Sequence, residues 1–246
     1  MGEAQLISFP NDDLLSAAVA GQWLSAIASA RKSGRKHLVA LSGGRITRKF
    51  FAAASAQAWQ CKLTFEGVEF FWADERCVPP GDTESNFRLA DENLFRPAGI
   101  KAECVHRIRG ELPPREAAQA ASEDLTRATG ATSGVIPVLD LVLLGLGEDG
   151  HVASLFPRDA ATEMNREAVY LAVENSPKPP PNRITLGHAP IAAAREVWVL
   201  ASGRGKEVTL RESLSSHGTT PLARVIQARA VTKIFSDLNL SGREVS

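Results

Sequence analysis

The segment 139–157, LDLVLLGLGEDGHVASLFP, ends an apolar run with an aspartate and a histidine two residues apart. Imidazole is well suited to accept a proton near neutral pH, and a neighbouring carboxylate can orient it and raise its basicity. The pattern therefore predicts a general base, His151, oriented by Asp149. The alternative is structural, with Asp149 capping a short helix and His151 making a local hydrogen bond. Ser154 lies outside a G-x-S-x-G elbow, so we expect it on that short helix and not as a nucleophile.

The same segment contains GLGEDG, the glycine pattern of dinucleotide-binding proteins. Glu174 lies 24 residues beyond Gly150, near where an acid that binds the ribose is expected. Two features disfavour this interpretation. Pro157 would interrupt the long helix that normally follows the fingerprint, and Asp149 would place a negative charge beside the pyrophosphate. The catalytic interpretation is preferred, and dinucleotide binding is kept as an alternative.

A second glycine turn, SGG at residues 42–44, follows the apolar run HLVAL and precedes a helical pattern. Glycines between a strand and a helix expose backbone N–H groups, and the N-terminus of a helix attracts phosphate. Arg45, Arg48 and Lys49 add positive charge nearby. The pattern predicts an anion site, and the alternative is a tight turn before a basic surface helix.

Charged residues follow other predicted strands as well. Arg183, after PKPPPN, and Lys206, in SGRGK, are candidate phosphate ligands. Asp74, Glu75 and Arg76 follow the run VEFFWA. In the structural interpretation, the two acids cap or solubilise a turn, with Arg76 as their ion-pair partner.

The elements that must position these residues alternate along the chain. Apolar residues at helical spacing predict a helix over residues 11–31, which would precede the first strand. Further helices are expected over 47–59, 113–129, 205–214 and 221–227. The predicted strands are HLVAL, VEFFWA, ECVHRI as a weak strand, LDLVLLG, VYLAVE, RITL, REVWVLAS and AVTKIFS.

This alternation predicts an α/β fold, a single-domain three-layer sandwich over residues 1–246. Its central sheet is expected to be mostly parallel and Rossmann-like, with helices on both faces. We interpret PKPPP as a stiff turn and not as a domain boundary. Ligands of such sheets bind at the carboxyl ends of the strands, so the loops SGG, DER and GEDGH are expected to converge on one crevice.

Composition narrows the class of function. Lysine plus arginine and aspartate plus glutamate number 28 each, so no global field favours nucleic acid or a membrane surface, and any anion site must be local. The three cysteines, Cys61, Cys77 and Cys104, show no CxxC pair, which disfavours a disulfide framework and a structural zinc site. The N-terminal segment lacks the pattern of a signal peptide, and we expect a cytoplasmic protein. The other histidines show no ligand-like spacing and no metal is assigned: His37, His106, His188 and His217.

Several sequence motifs, in the order expected along nearly the whole chain, resemble those of the 6-phosphogluconolactonase family and, through it, of the glucosamine-6-phosphate deaminase superfamily. These motifs are LSGG, FWADERCVPP with SNFRLADENLF, LDLVLLGLGEDGHVASLFP, SPKPPPNRITL and SGRGKE. The resemblance implies hydrolysis of 6-phospho-D-glucono-1,5-lactone to 6-phosphogluconate, in the oxidative pentose phosphate pathway, without a metal or organic cofactor. The implied partner is this phosphorylated sugar lactone, and the expected assembly is a monomer or a homodimer.

The resemblance also implies roles for individual residues. His151 matches the catalytic base and Asp149 its partner, and Asp74 and Arg76 match the acidic loop that faces the sugar. The positions that match phosphate-binding residues are Ser42, Gly43, Gly44, Arg183 and Lys206. This chain departs from the family where many relatives continue Ser-Thr-Pro after SGG, because it reads Arg45-Ile46-Thr47-Arg48 instead. We expect Arg45 to substitute as a phosphate donor.

The deaminase branch is the nearest rival. Its members resemble GHxAFNEP after the aspartate, and their glutamate assists ring opening, whereas Phe156 stands at that place here. The acidic loop reads Asp-Glu-Arg where deaminases usually show Asp-Glu-Tyr. Lactone hydrolysis is therefore the better fit, and a sugar-phosphate sensor without catalytic activity is the other alternative.

Overall fold

The computed structural model describes residues 2–132, 134–159, 165 and 167–240. Its strands, in chain order, are β1 (Glu3–Ser8), β2 (His37–Leu41), β3 (Val68–Trp72), β4 (Asp74–Arg76), β5 (Leu141–Gly145), β6 (Tyr170–Val173), β7 (Arg183–Leu186), β8 (Glu196–Ala201) and β9 (Val231–Ser236). Six of them form a central sheet in the order β1-β9-β8-β5-β2-β3, and every pairing in it is parallel. The predicted mostly parallel α/β fold is confirmed.

The helices that surround this sheet include all five that were predicted. They are α1 (Asp12–Lys32), α2 (Arg45–Gln60), α3 (Asn86–Ala90), α4 (Pro114–Thr129), α5 (His188–Ala193), α6 (Glu207–Leu214) and α7 (Pro221–Gln227). A single π-helical turn, Asp91–Phe95, extends α3. The Asn11 side chain caps α1 by accepting a hydrogen bond from the backbone N–H of Leu14 at 2.9 Å. Since α2 begins directly after the glycine turn, its N-terminus lies at the carboxyl edge of the sheet.

The core lies between the helices and the sheet. The inner strands are apolar on both faces because helices cover them, which is typical of parallel sheets. Trp23 of α1 packs against Phe50 of α2 and Phe70 of β3, with ring centroids 5.3 and 6.4 Å away. This packing ties the first two helices to the strands that carry the loops of interest.

A second, antiparallel sheet was not predicted. It contains β4, β7 and β6 in that order, so VYLAVE and RITL do not belong to the parallel sheet, and DER is a strand and not a loop. Ala73 joins the two sheets: its N–H donates to the Leu41 carbonyl and its carbonyl accepts from the Leu186 N–H, both at 2.7 Å. The chain thus turns out of the main sheet one residue after β3, which brings Asp74 and Arg183 to its carboxyl edge.

Three local predictions are wrong. Strand β1 precedes α1, and sequence patterning missed it because this edge strand is largely exposed and lacks an apolar run. ECVHRI is not a strand but a 3-10 turn, Ala102–Cys104, followed by an isolated bridge from Val105 to Phe70. Ser154 lies in a turn rather than a helix, because Val152 and Leu155 form an isolated bridge around it. Among the described residues, none of the helices is long and apolar enough to cross a membrane.

Candidate active site

A cavity of about 310 Å³ opens at the carboxyl edge of the central sheet. Loops that follow β2, β3, β5 and β8 line it together with the first residue of β7, so the predicted convergence of SGG, DER and GEDGH is observed. Its lining includes these residues singled out from the sequence: Ser42, Gly43, Gly44, Arg45, Asp74, Arg76, His151, Arg183 and Lys206. Asp149 does not line the cavity itself but contacts His151, which does.

His151 and Asp149 form a hydrogen-bonded pair, in which His151 Nδ1 lies 2.5 Å from Asp149 Oδ1. Lys178 Nζ donates to the same oxygen at 3.2 Å. Gly147 makes room for the pair, because a side chain there would overlap the His151 ring and the Asp149 carboxylate. The Gly147 N–H also donates to the His151 carbonyl at 2.9 Å, which closes the turn. The glycines of GLGEDG therefore shape a turn that holds a histidine and an aspartate together.

The charge on Asp149 is strongly stabilised. Burial by itself would raise the pKa of Asp149, but the hydrogen bond and charge of His151, with those of Lys178, outweigh it and hold the pKa well below its usual range. Asp149 is therefore an acceptor at neutral pH. In contrast to Nδ1, His151 Nε2 has no hydrogen-bond partner in the part of the chain that the structure describes. This nitrogen is free to act on a bound molecule.

The N-terminus of α2 faces the same cavity through Gly44, Arg45 and Ile46. Gly44 precedes the helix with φ 111°, a conformation that other residues rarely adopt, and no side chain of the described residues caps the helix. The exposed N–H groups and the helix dipole make this end a suitable anion site. Ser42 contributes differently, since its hydroxyl donates to the Leu143 carbonyl at 2.8 Å and holds β2 to β5.

Arg45, the residue that departs from the family pattern, is held from two sides. Its Nη1 lies 2.6 Å from Asp12 Oδ2, and its Nη2 donates to Ser202 Oγ at 3.1 Å. Asp12 also binds Lys49 at 2.8 Å, and these two cations lower the pKa of Asp12. Arg45 therefore lines the cavity with its charge already shared with a carboxylate.

Lys206 differs from the other cations of the cavity. It is half-buried at the start of α6, and neither an ion pair nor a hydrogen bond engages its ammonium group among the described residues. Burial lowers the pKa of Lys206, and repulsion from Arg45 lowers it further. Partial burial of an ammonium group without a counter-ion costs desolvation free energy, and a bound anion would offset that cost.

Arg183 is 4% exposed, and most of its guanidinium is engaged by the loop that precedes it. Its Nε donates to the Pro180 carbonyl at 3.1 Å, and its Nη2 to the carbonyls of Pro179 and Lys178 at 2.8 and 3.3 Å. The guanidinium also lies 5.5 Å from the centre of the Phe156 ring. Burial lowers the pKa of Arg183, although an arginine stays charged at any ordinary pH.

Asp74 and Arg76 occupy opposite ends of β4. Asp74 is 5% exposed; its Oδ2 accepts from Ser154 Oγ at 2.7 Å, and its Oδ1 accepts from Asn86 Nδ2 at 3.3 Å. Arg76 Nη1 donates to the Glu84 carbonyl at 2.7 Å, while the buried Arg76 Nε has no hydrogen-bond partner among the described residues. Both side chains line the cavity, so this strand presents a carboxyl group and a guanidinium group to it.

Glu75, between these two residues, points away from the cavity. Its carboxylate accepts from the N–H groups of Arg76, Asn86 and Phe87 at 2.7 to 2.8 Å and from Ser85 Oγ at 3.1 Å. Burial raises the pKa of Glu75 and outweighs these backbone hydrogen bonds. Glu75 thereby anchors the start of α3, which places Asn86 in the cavity.

The cavity is electropositive although the chain as a whole is neutral. The cations that line it outnumber the carboxylates: Arg45, Arg76, Lys178, Arg183 and Lys206 against Asp74 and Glu148. Among the described residues, no cluster of three or more histidine, cysteine, aspartate or glutamate side chains could hold a metal ion. The site is suited to a small anionic molecule that meets a histidine–aspartate pair.

The dinucleotide interpretation of GLGEDG does not fit this geometry. Residues 147–159 form turns and a bridge in place of the long helix that the fingerprint requires. Glu174 follows β6 in the separate antiparallel sheet, so it is not on a strand next to β5. The glycine that would approach a pyrophosphate, Gly147, is instead packed against His151 and Asp149.

Four polar side chains that line the cavity were not identified as site residues from the sequence: Asn86, Glu148, Lys178 and Ser202. Lys178 belongs to SPKPPPN, a block noted for its prolines and for Arg183, and nothing in its spacing connects it with Asp149, 29 residues earlier. Asn86 is the first residue of α3, directly after the cap Ser85, which accepts a hydrogen bond from the Arg88 N–H. Asn86 and Lys178 come from segments remote in the chain, and the fold brings them to the cavity.

A family model described as glucosamine-6-phosphate isomerases/6-phosphogluconolactonase matches residues 10–234. A 6-phosphogluconolactonase of Mycobacterium tuberculosis is 38% identical over 205 residues, 80% of this chain and 81% of that protein. The human 6-phosphogluconolactonase is 38% identical over 185 residues, 74% of this chain and 70% of the relative. The 6-phosphogluconolactonase structure from Trypanosoma cruzi superimposes with a TM-score of 0.84 at 26% identity, covering 98% and 99% of the two chains. A monomeric glucosamine-6-phosphate deaminase, with a TM-score of 0.71 at 16% identity over 94% and 97% of the chains, shares the fold.

Proposed function

Because the chain belongs to the glucosamine-6-phosphate isomerase/6-phosphogluconolactonase family, we propose that it hydrolyses 6-phospho-D-glucono-1,5-lactone to 6-phospho-D-gluconate in the oxidative pentose phosphate pathway. The observation that carries this proposal is one cavity that holds both a hydrogen-bonded His151–Asp149 pair and Lys206, a cation that no described residue pairs with. A base and an anion site in one cavity suit an ester that carries a phosphate.

His151 acts as the general base. With Nδ1 bonded to Asp149, the tautomer that carries its proton on Nδ1 leaves Nε2 as the acceptor. Nε2 takes a proton from water as the water attacks the lactone carbonyl, and the imidazolium then protonates the departing ring oxygen. The tetrahedral intermediate collapses with cleavage of the ring C–O bond, giving the carboxylic acid and the freed hydroxyl. The lactone is an activated ester, so no covalent nucleophile is needed.

The phosphate binds at the other side of the cavity. The N-terminus of α2 after residues 42–44 supplies N–H donors, and Lys206 supplies a full positive charge. Arg45 adds charge that Asp12 partly neutralises. Arg183 has an N–H of Nη1 left to donate after its bonds to the loop and to Ser154. Binding energy from this remote group positions the carbonyl against His151.

Asp74 and Arg76 face the sugar between these two ends. Asp74 is ordered by Ser154 and Asn86, so its free lone pairs can accept from a sugar hydroxyl. Arg76 is a candidate donor to the developing oxyanion, and the backbone N–H groups of the glycine turns are another. These roles follow from placement in the cavity, which the lactone would share with both side chains.

Phe156 favours lactone hydrolysis over the deaminase reaction. It is 3% exposed, and its ring centre lies 4.7 Å from that of His151. Where the deaminases are expected to carry a glutamate for ring opening, this chain has an apolar ring that supports the imidazole.

The test is hydrolysis of freshly generated 6-phosphogluconolactone by the purified protein, compared with spontaneous hydrolysis and with unphosphorylated gluconolactone. We expect acceleration of the phosphorylated lactone and a much lower kcat/KM for the other, because the phosphate orients the carbonyl. An absence of acceleration for both lactones would refute the proposal, and ammonia release from glucosamine 6-phosphate would move the chain to the deaminase branch.

We further propose that the protein acts in the cytoplasm as a monomer or homodimer. Unpaired thiols at Cys61, Cys77 and Cys104 suit a reducing compartment. Sedimentation of the purified chain would decide between the two assemblies.

A further inference from the structure

We propose that Lys178 is a positioning residue of the hydrolytic reaction, which acts through the Asp149 carboxylate and is held in place by Arg183. This inference deepens the proposed function and rests on it. The motivating observation is that Lys178 Nζ and His151 Nδ1 converge on the same oxygen, Asp149 Oδ1. The carboxylate therefore has a second partner that sequence inspection did not identify.

Two donors on one carboxylate oxygen restrict its rotation more than one donor does. Asp149 follows a glycine turn and is one-third exposed, so its own packing does not fix it. The ammonium of Lys178 supplies that restraint and stabilises the ionised carboxylate. A fixed, ionised Asp149 in turn holds the His151 ring with Nε2 directed to the reacting molecule, which is the arrangement that base catalysis needs.

Lys178 can do this because the backbone around it is clamped. The Arg183 guanidinium bonds to three successive carbonyls, those of Lys178, Pro179 and Pro180. The Ser176 N–H closes the same loop by donating to the Pro181 carbonyl at 2.7 Å. A long lysine side chain loses much conformational entropy when it is ordered, so a rigid backbone lowers the cost of presenting it.

Arg183 also reaches the histidine from the opposite side. Its guanidinium lies over the Phe156 ring, and that ring packs against the His151 ring. Arg183 thus supports His151 by two routes: through Phe156 on the face of the ring, and through Lys178 and Asp149 at Nδ1. The charged groups near His151 on these elements are Asp149, Lys178 and Arg183, with Glu148 on its own turn.

Lys178 and Lys206 both line the cavity, but we assign them different roles: Lys178 positions catalytic groups, and Lys206 binds the anion. Lys178 is already paired with Asp149, whereas Lys206 has no partner among the described residues and awaits an anion. Loss of Lys178 should therefore lower kcat, and loss of Lys206 should weaken binding of the phosphorylated ligand. A lysine that merely bound phosphate would behave like Lys206.

The experiment compares Lys178→Met, which keeps the apolar stem, with Lys178→Arg, which keeps the charge. Lys206→Met serves as the contrast and Lys101→Met as a lysine-to-methionine control on the surface. We expect kcat of K178M to fall by about tenfold, with partial recovery in K178R, and its affinity for 6-phosphogluconate by calorimetry to stay within about twofold. An unchanged kcat, or a loss of affinity equal to that of K206M, would overturn the proposal.

A second readout does not depend on activity. Loss of the second donor lets the Asp149 carboxylate rotate away from Nδ1, so NMR of the His151 ring nitrogens should show a smaller share of the tautomer protonated on Nδ1 in K178M, and an unchanged share in K178R. If the wild-type protein fails to hydrolyse the lactone, the proposed function fails, and this measurement still decides whether Lys178 orders the His151–Asp149 pair. The same tautomer share in the wild type and K178M would refute that role.

Discussion

Two histidines in this protein contact carboxylates at the edge of a cavity, and they differ in what they leave free. His151 bonds to Asp149 through Nδ1, and its Nε2 has no partner in the described residues. His106 has both ring nitrogens engaged, with Nδ1 2.8 Å from Asp124 and Nε2 3.2 Å from Glu69. His106 can therefore join α4 to β3, but it has no nitrogen left to accept a proton from a bound molecule.

The two cavities differ in the same way. The cavity beside His106 is of similar size, about 350 Å³, and is also lined by arginines. Its cations are largely neutralised, because Arg107 pairs with Glu111 and Arg127 with Asp124. The cavity beside His151 holds Lys206, which has no partner in the described part of the chain. A histidine–carboxylate pair is thus a candidate catalytic site only where one ring nitrogen has no hydrogen-bond partner and a nearby cation has no counter-ion.

The largest expected effect comes from removing each histidine. His151→Gln should lower kcat by about 10²- to 10⁴-fold, the usual contribution of a general base. His106→Gln should leave the rate of the folded enzyme within about twofold, although it should lower stability because Asp124 and Glu69 each lose one of their two partners. Rates corrected for spontaneous lactone hydrolysis, with circular dichroism to confirm folding, provide the measurement. Equal losses in both variants would abolish the distinction between the two sites.

An intermediate effect is expected on ligand binding. Lys206→Met should weaken binding of 6-phosphogluconate by about tenfold or more, since a charge-assisted hydrogen bond to phosphate is lost. Arg127→Met removes a cation of the other cavity that is already paired, so the affinity should not change. Isothermal titration calorimetry of both variants at one ionic strength checks this. Unchanged affinity in K206M would place the phosphate elsewhere.

The smallest expected effect is on stability and has opposite signs in the two regions. Burial lowers the pKa of Lys206, so its charged form opposes folding, and K206M should raise the thermal midpoint by a few degrees. The gain should be complete below the folded pKa and shrink as pH rises toward about 10.4, the ordinary lysine value, where the wild-type lysine loses its proton in both states. R127M should instead be neutral or slightly destabilising. A lower midpoint in K206M at neutral pH would contradict the assignment of Lys206 as an unpaired cation.

Much of the fold could be predicted from local patterns. Apolar runs at β2, β3, β5, β8 and β9, separated along the chain by turns and helical segments, predicted a mostly parallel sheet. Strand β1 was not predicted because it is an exposed edge strand, which is specified by pairing with β9 and not by an apolar run of its own. The antiparallel sheet was missed because β4 is three residues long and its partner β7 lies more than a hundred residues away.

The sequence by itself determined the residue types and the turns: a glycine turn before His151, another before α2, and basic residues after strands. Short-range geometry suffices for these, since two residues fix the His151–Asp149 spacing. Tertiary structure decided which charges remain unpaired. Arg45 is held by Asp12, Arg183 by the carbonyls of a proline loop and Asp149 by Lys178, while Lys206 is left alone among the described residues. Such pairings depend on distances between segments remote in the chain, which periodicity and composition do not encode.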